Sequence, residues 1–303
     1  MSVPAAYLGV ILIWTTTPLA IKWSAAGSHF LFAVTARMWI GAVLSLVLLR
    51  LSRTSFPWHR KARQTYLAVG GGIFGALGLT YWGAQYIPSG LISVIFGLAP
   101  LVTGLFASLV LGEKNLGPLK LIGMLFGLGG LAIVFSGNTA AGAMEWRGIA
   151  AVLAAMLIHC ASAVRVKQLA ASIPALASTA GGVLVATFLL QTCWILLDVR
   201  LPTRISPLAG WSIIYLGIAG SVLGFSLYFF LLKHVEATRV TLITLITPVL
   251  ALMLGNLLNG EALNLGILSG TAVILFGLVC FQYGDFCLLR LRKVFRRVRP
   301  DLP

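Results

Sequence analysis

Residues 99–113 read APLVTGLFASLVLGE and residues 247–261 read TPVLALMLGNLLNGE. In each, a proline lies thirteen residues before the glutamate of a Gly-Glu pair, and the two segments are 148 residues apart. Each proline sits within an apolar run long enough to cross a bilayer and each Gly-Glu ends one, so the chain reads as a membrane unit written twice.

Composition agrees with that reading. Of 303 residues, 59% are hydrophobic and 10% charged, which leaves too little polar surface to keep a soluble domain dispersed. The net charge of +15 would point to nucleic acid in a soluble protein. Here the basic residues gather in short connections between apolar runs, where they act as orientation signals, so no nucleic-acid partner is expected. Cys160, Cys193, Cys280 and Cys287 form no CxxC pair, so they read as small hydrophobes, with no metal site and no disulfide framework. The first apolar run, Ala5 to Ile21, lacks a charged leader and is followed by many like it, and is taken as the first span.

At about 20 residues per crossing, spans are expected at 5–22, 29–49, 66–84, 90–111, 119–136, 148–166, 176–197, 210–232, 238–258 and 266–284. Short loops join them, leaving no room for an inserted soluble domain. With both termini in the cytoplasm, the inner segments carry 17 Lys and Arg and the outer segments 4, with Arg37 inside a span. That asymmetry favours this orientation over its reverse. Five helices per copy is an odd number, so the second copy enters upside down, which places Glu113 inside and Glu261 outside. The fold class expected is therefore all-α integral membrane, ten transmembrane helices as two inverted five-helix repeats around a central cavity. Residues 1–137 form the first repeat, 138–285 the second and 286–303 a basic cytoplasmic tail that meets anionic lipid headgroups. Inverted repeats with a midplane site are a recurrent architecture of secondary transporters.

With this pattern the chain resembles the EamA-type members of the drug/metabolite transporter superfamily, ten-helix proteins of two EamA units. The residues that carry the resemblance are GVILIWTTTPLAIK from Gly9 to Lys22, Arg37 in TARMWIGAVL, and the paired segments Ala99-Pro100 to Gly112-Glu113 and Thr247-Pro248 to Gly260-Glu261. Counting back from Lys167 sets His159 opposite Trp14, with Cys160, Ala161 and Ser162 opposite Thr15, Thr16 and Thr17, so the second copy departs in its first helix. The resemblance implies a cavity lined by the first four helices of each copy, with peripheral fifth helices. It also implies export of small metabolites, often amino acids, across a bacterial inner membrane as a multi-pass protein.

Several residues are candidates for the site. Pro18, Pro100 and Pro248 each remove an N–H and release the carbonyl four residues back, making a cavity-lining turn, a hinge or an ordinary kink. Arg37 lies about 12 Å along its helix at 1.5 Å per residue. There it either hydrogen-bonds released carbonyls or recognises a substrate carboxylate, which its planar fork suits. His159 is a packing residue or a proton relay. An aromatic wall with polar handles suits an amphipathic solute; Trp14, Thr15, Tyr81, Gln85, Ser162, Tyr228 and Thr244 are its candidates. Glu113 and Glu261 fall at gate edges, and no acid falls near the middle of a span, so a carboxylate proton pathway is not expected.

No catalytic constellation and no cofactor motif is present. Gly70-Gly71-Gly72-Ile73-Phe74-Gly75 matches GxGxxG but follows no strand, so dinucleotide binding is rejected. Gly71 with Gly75 and Gly123 with Gly127 have GxxxG spacing, which can pack helices within one chain or between two copies, so a homodimer stays open. Without a GxxxxGK[ST] loop, a gradient is the expected driving force. The function expected is a secondary exporter of small amphipathic metabolites such as amino acids or related carboxylates, by alternating access. The alternatives are efflux of drugs or other toxic compounds and, in another class, an intramembrane lipid-modifying enzyme.

Overall fold

The computed structural model describes residues 2–112, 117–136, 143–169, 173–224, 226–227, 230–231 and 242–298. Among them every regular element is helical. In chain order these are α1 (Val3–Ser24), α2 (Phe30–Leu51), α3 (Arg60–Gly83), α4 (Ser89–Gly97), α5 (Ala99–Leu111), α6 (Pro118–Ser136), α7 (Ala143–Leu169), α8 (Ala175–Leu196) and α9 (Pro207–Tyr215). A π-helix, Leu216–Leu223, continues α9, and α10 (Leu242–Asn259) and α11 (Leu265–Val298) complete the described chain. Six helical stretches are long and apolar enough to cross a membrane by length and composition. The shorter apolar stretches Pro118–Val134, Pro207–Leu223 and Ile243–Asn259 accompany them.

Large apolar side chains cover the outside of the bundle as well as filling its core. On α2 the buried face carries Arg37, Gly41, Ala42 and Ser45, while Trp39, Val43, Leu46 and Val47 point outward. Apolar side chains on the outside, with small and polar ones joining Met38 and Leu49 on the inner face, suit a hydrocarbon surround. Inside lipid no hydrophobic force drives helices together, so close backbone approach and polar contacts do.

Close approach is clearest between α6 and α11. A Cβ on Gly123 would stand 2.5 Å from the Gly277 carbonyl oxygen, and one on Gly277 would stand 2.6 Å from that of Gly123. The GxxxG spacing that begins at Gly123 therefore packs within one chain. On α3 the position used is not Gly71, which faces open space, but Gly72 one residue on. Ser162 of α7 fills the place a Gly72 side chain would take and donates to the Ala68 carbonyl at 2.8 Å.

Two expected spans depart from simple α-helix. The fourth is interrupted at Leu98, whose N–H bonds Ile95 O at 3.1 Å while its own carbonyl accepts from Leu101 and Val102 at 3.0 and 3.1 Å. Pro100 then occupies the first turn of α5, where its missing N–H costs nothing. The matching proline of the second copy, Pro248, lies inside the continuous α10, and Pro18 likewise lies inside the continuous α1. Gly97 precedes Pro100 by three residues where Leu245 precedes Pro248, so a poor helix former weakens one copy and a strong one supports the other. The eighth span turns from α to π geometry at Leu216. Gly112 and Gly260, each after one of the paired helices, both adopt the left-handed conformation, with φ of 68° and 62°. The chain thus turns in the same way just before each glutamate.

Candidate functional site

Two groups of polar side chains stand out in this apolar bundle, one within it and one at an end. The first centres on Arg37, whose residue surface is 3% exposed. Its Nε donates to Ser221 Oγ at 3.1 Å, and Ser221 Oγ donates to the Leu216 carbonyl at 3.0 Å. Arg37 is therefore seated against the π-helix, a geometry that recurs at functional sites. Gly220 makes room for it: a Cβ there would lie 3.0 Å from Arg37 Nη2. Nη1 is buried with no hydrogen-bond partner among the described residues.

On the same side of the bundle, Thr16 Oγ1 and Tyr215 OH share a hydrogen bond of 2.5 Å between α1 and α9. The Trp14 indole nitrogen would lie 3.5 Å from a Cβ on Gly224, just beyond the π-helix. Thr15 is buried, with its hydroxyl unpartnered among the described residues.

Where the paired helices cross, the proline of one copy meets the break in the other. A Cβ on Gly97 would stand 3.3 Å from Pro248 Cγ, so α10 passes directly over the interruption between α4 and α5. His159 of α7 is exposed beside this crossing, edge-on to Phe96 with ring centroids 6.1 Å apart. Cys160, buried, points its thiol at the Ala99 carbonyl at 3.6 Å.

The second group gathers at the end of the bundle where α1 and α10 finish and α4 begins. Glu261 is 8% exposed. Its Oε2 accepts from Ser89 Oγ at 2.9 Å and from the Gly90 N–H at 3.3 Å; its Oε1 accepts from Asn259 Nδ2 at 2.9 Å and lies 3.4 Å from Lys22 Nζ. Lys22 also donates to the Ile87 carbonyl at 3.0 Å, and Trp23 Nε1 donates to Asn259 Oδ1 at 3.1 Å. Burial acts to raise the Glu261 pKa, but the hydrogen bonds from the first turn of α4 and from Asn259, with the Lys22 charge, outweigh it and hold the carboxyl below its ordinary value. A carboxylate at a helix N-terminus also meets the positive end of the helix dipole.

The EamA-like transporter family matches this chain over residues 3–136 and again over 146–282. The chain belongs to that family. The two matched segments each contain one of the paired Pro-to-Gly-Glu stretches. This EamA protein is similar to the transporter YoaV of Bacillus subtilis (strain 168), at 25% identity over 89% of this chain and 93% of the relative. It is also similar to the inner membrane transporter YedA of Escherichia coli (strain K12), at 26% identity over 93% of this chain and 90% of the relative. A solved crystal structure with 22% identity, covering 92% of this chain and 96% of its own, superposes with a TM-score of 0.64 and so shares the fold. The EamA chain is thus an integral membrane protein of multiple apolar helices in a family of transporters.

The other candidate residues are dispersed. Tyr81 is fully buried in the main core, its hydroxyl unpartnered among the described residues. Gln85 is exposed at the end of α3 and donates to the Trp82 carbonyl at 3.2 Å. Ser162 is engaged at Gly72 as described, and Thr244 is half-buried on α10. Tyr228 and Glu113 lie outside the described residues. Sequence reasoning did not find Ser221, Tyr215, Ser89 or Asn259. Asn259 had a signal, as an amide in the last turn of an apolar helix two residues before a glutamate.

Proposed function

We propose that this chain is a secondary transporter that exports small amphipathic metabolites, amino acids or related carboxylates, by alternating access across a bacterial inner membrane. Family membership supports transport of a small molecule. YedA, by its name an inner membrane transporter, supports the location. The observation that carries the substrate class is the buried Arg37, which holds one nitrogen on Ser221 and leaves Nη1 for an acceptor. A guanidinium so placed binds a carboxylate better than a lysine would, because its fork is fixed and it stays charged. In this reading Trp14 and His159 form part of the wall, and the helix break before Pro100 supplies the bend.

Orientation follows the charge asymmetry: the end rich in Lys and Arg faces the cytoplasm and the Lys22–Glu261 end faces outward. The test is counterflow in proteoliposomes with labelled amino acids and organic acids, with and without a pH gradient. Arg37→Ala is expected to abolish flux of carboxylated solutes at unchanged protein level, while Arg37→Lys keeps part of it. Undiminished flux of every transported solute in Arg37→Ala would refute the carboxylate role.

A further inference from the structure

Resting on the alternating-access reading, we propose that Lys22 and Glu261 form a latch between the two repeats, which holds one mouth shut until Glu261 leaves the first turn of α4. The contacts join three separate elements. Lys22 ends α1 and Ser89 and Gly90 open α4, all in the first repeat, whereas Glu261 follows α10 in the second. The carboxylate therefore ties α1 and α4 to the second repeat through one side chain, and its departure removes the Lys22 and Ser89–Gly90 links together.

A merely local cap would look different. The N-cap of α4 is Pro88, which offers no side-chain acceptor, and the helix instead draws its acceptor from 172 residues away. The seat is also shaped for that carboxylate. Gly255 leaves it open, since a Cβ there would stand 2.3 Å from Glu261 Oε2 and 2.9 Å from Ser89 Oγ. Gly260, at φ 62°, turns the chain back so that Glu261 reaches the seat, and Asn256 Nδ2 fixes the turn through the Glu261 carbonyl at 2.8 Å.

The chemistry suits a closure that must reopen. Water can replace each partner when the mouth opens, solvating Lys22, the Ser89 hydroxyl, the Gly90 N–H and the carboxylate itself. An apolar plug would expose its surface at each cycle, whereas this latch exchanges protein hydrogen bonds for hydration.

The test reads accessibility without any solute. With Cys160, Cys193, Cys280 and Cys287 replaced by alanine, Ser93→Cys places a thiol one helical turn below Ser89 on the buried face of α4. Its maleimide labelling in purified protein is expected to be slow. It should rise about tenfold in Glu261→Gln and in Lys22→Gln, matching loss of about one charge-assisted hydrogen bond, and return to the original rate in Lys22→Arg. A control thiol at Ala76, buried in α3, is expected to stay slow in all of them. Unchanged labelling at position 93 in Lys22→Gln, or equal acceleration at positions 93 and 76, would overturn the latch. Lys22 is the more exposed partner, so its variant carries the test where Glu261→Gln does not fold. Faster labelling with no flux of any solute would keep the latch and sink transport, and normal flux with unchanged labelling would do the reverse.

Discussion

Replacing Gly255 by alanine tests the carboxylate seat without touching a charge. The new Cβ would lie 2.3 Å from Glu261 Oε2, against an ordinary Cβ contact of at least 3.4 Å, so the oxygen must retreat by about 1.1 Å. Oε2 is the end of a flexible side chain, so the clash itself is cheap to relieve. The loss lies in what the oxygen leaves behind. It accepts from the Gly90 N–H at 3.3 Å, already at the long limit, and from Ser89 Oγ at 2.9 Å. Losing one charge-assisted bond costs about 1.5–3 kcal/mol, roughly a 10- to 150-fold shift away from the seated state. Hydrogen–deuterium exchange with mass spectrometry resolves this locally. Amides in the first turn of α4 should exchange faster in Gly255→Ala than in the parent, by a factor in that range. Gly78→Ala, whose Cβ would meet nothing within 4 Å, should leave them unchanged. Protection of residues 89–92 equal to the parent's would show that Glu261 does not hold that turn.

Acid should loosen the same seat. The closed-state pKa of Glu261 lies below its ordinary value, so the stabilisation is complete above the hydrated value of about 4.3 and is lost as pH falls through the lower, closed-state one. Labelling of Ser93→Cys, corrected for maleimide chemistry with a free thiol, should therefore stay flat from pH 8 to about 5 and rise only in stronger acid; a rise centred near neutrality would refute the assignment. In the α6–α11 pair, Gly123→Ala drives a methyl against a carbonyl that cannot rotate away, at 2.5 Å, and should cost about 1–3 kcal/mol in thermal unfolding. Gly129→Ala, with open space around it, should be neutral or slightly stabilising through helix propensity.

Much of the helix placement was legible because bilayer thickness writes itself into apolar run length. The expected span 29–49 became Phe30–Leu51 and 176–197 became Ala175–Leu196. Span 66–84 began earlier, at Arg60, because His59 Nδ1 caps a basic first turn that hydropathy alone discards. The π-helix at Leu216–Leu223 was illegible, since a change of helical register leaves hydropathy untouched. Arg37 was visible as a charge in a span, but its partner Ser221 is 184 residues away and looks like any small polar residue. Glu261 was placed at a helix end, while its burial depends on Gly255, Ser89 and Lys22 meeting in space. Periodicity and length are local properties that a sequence displays. Pairing across an inverted repeat is not.

The two copies of the opening motif share their turn but not their helix. Gly112 and Gly260 have nearly the same φ, yet the first copy breaks at Leu98 and the second continues through Pro248. Proline alone therefore does not decide the break. The residue three before it contributes, Gly97 in one copy and Leu245 in the other, and so does the partner helix that crosses there. The Pro248 ring lies where a Gly97 side chain would stand, so the continuous helix packs against the interrupted one at its glycine. Under alternating access, a change of bend at Leu98 must move α10, and α10 carries Glu261 at its end. The crossing at Gly97 and Pro248 would then couple the bend within the bundle to the latch at its mouth, through one continuous helix.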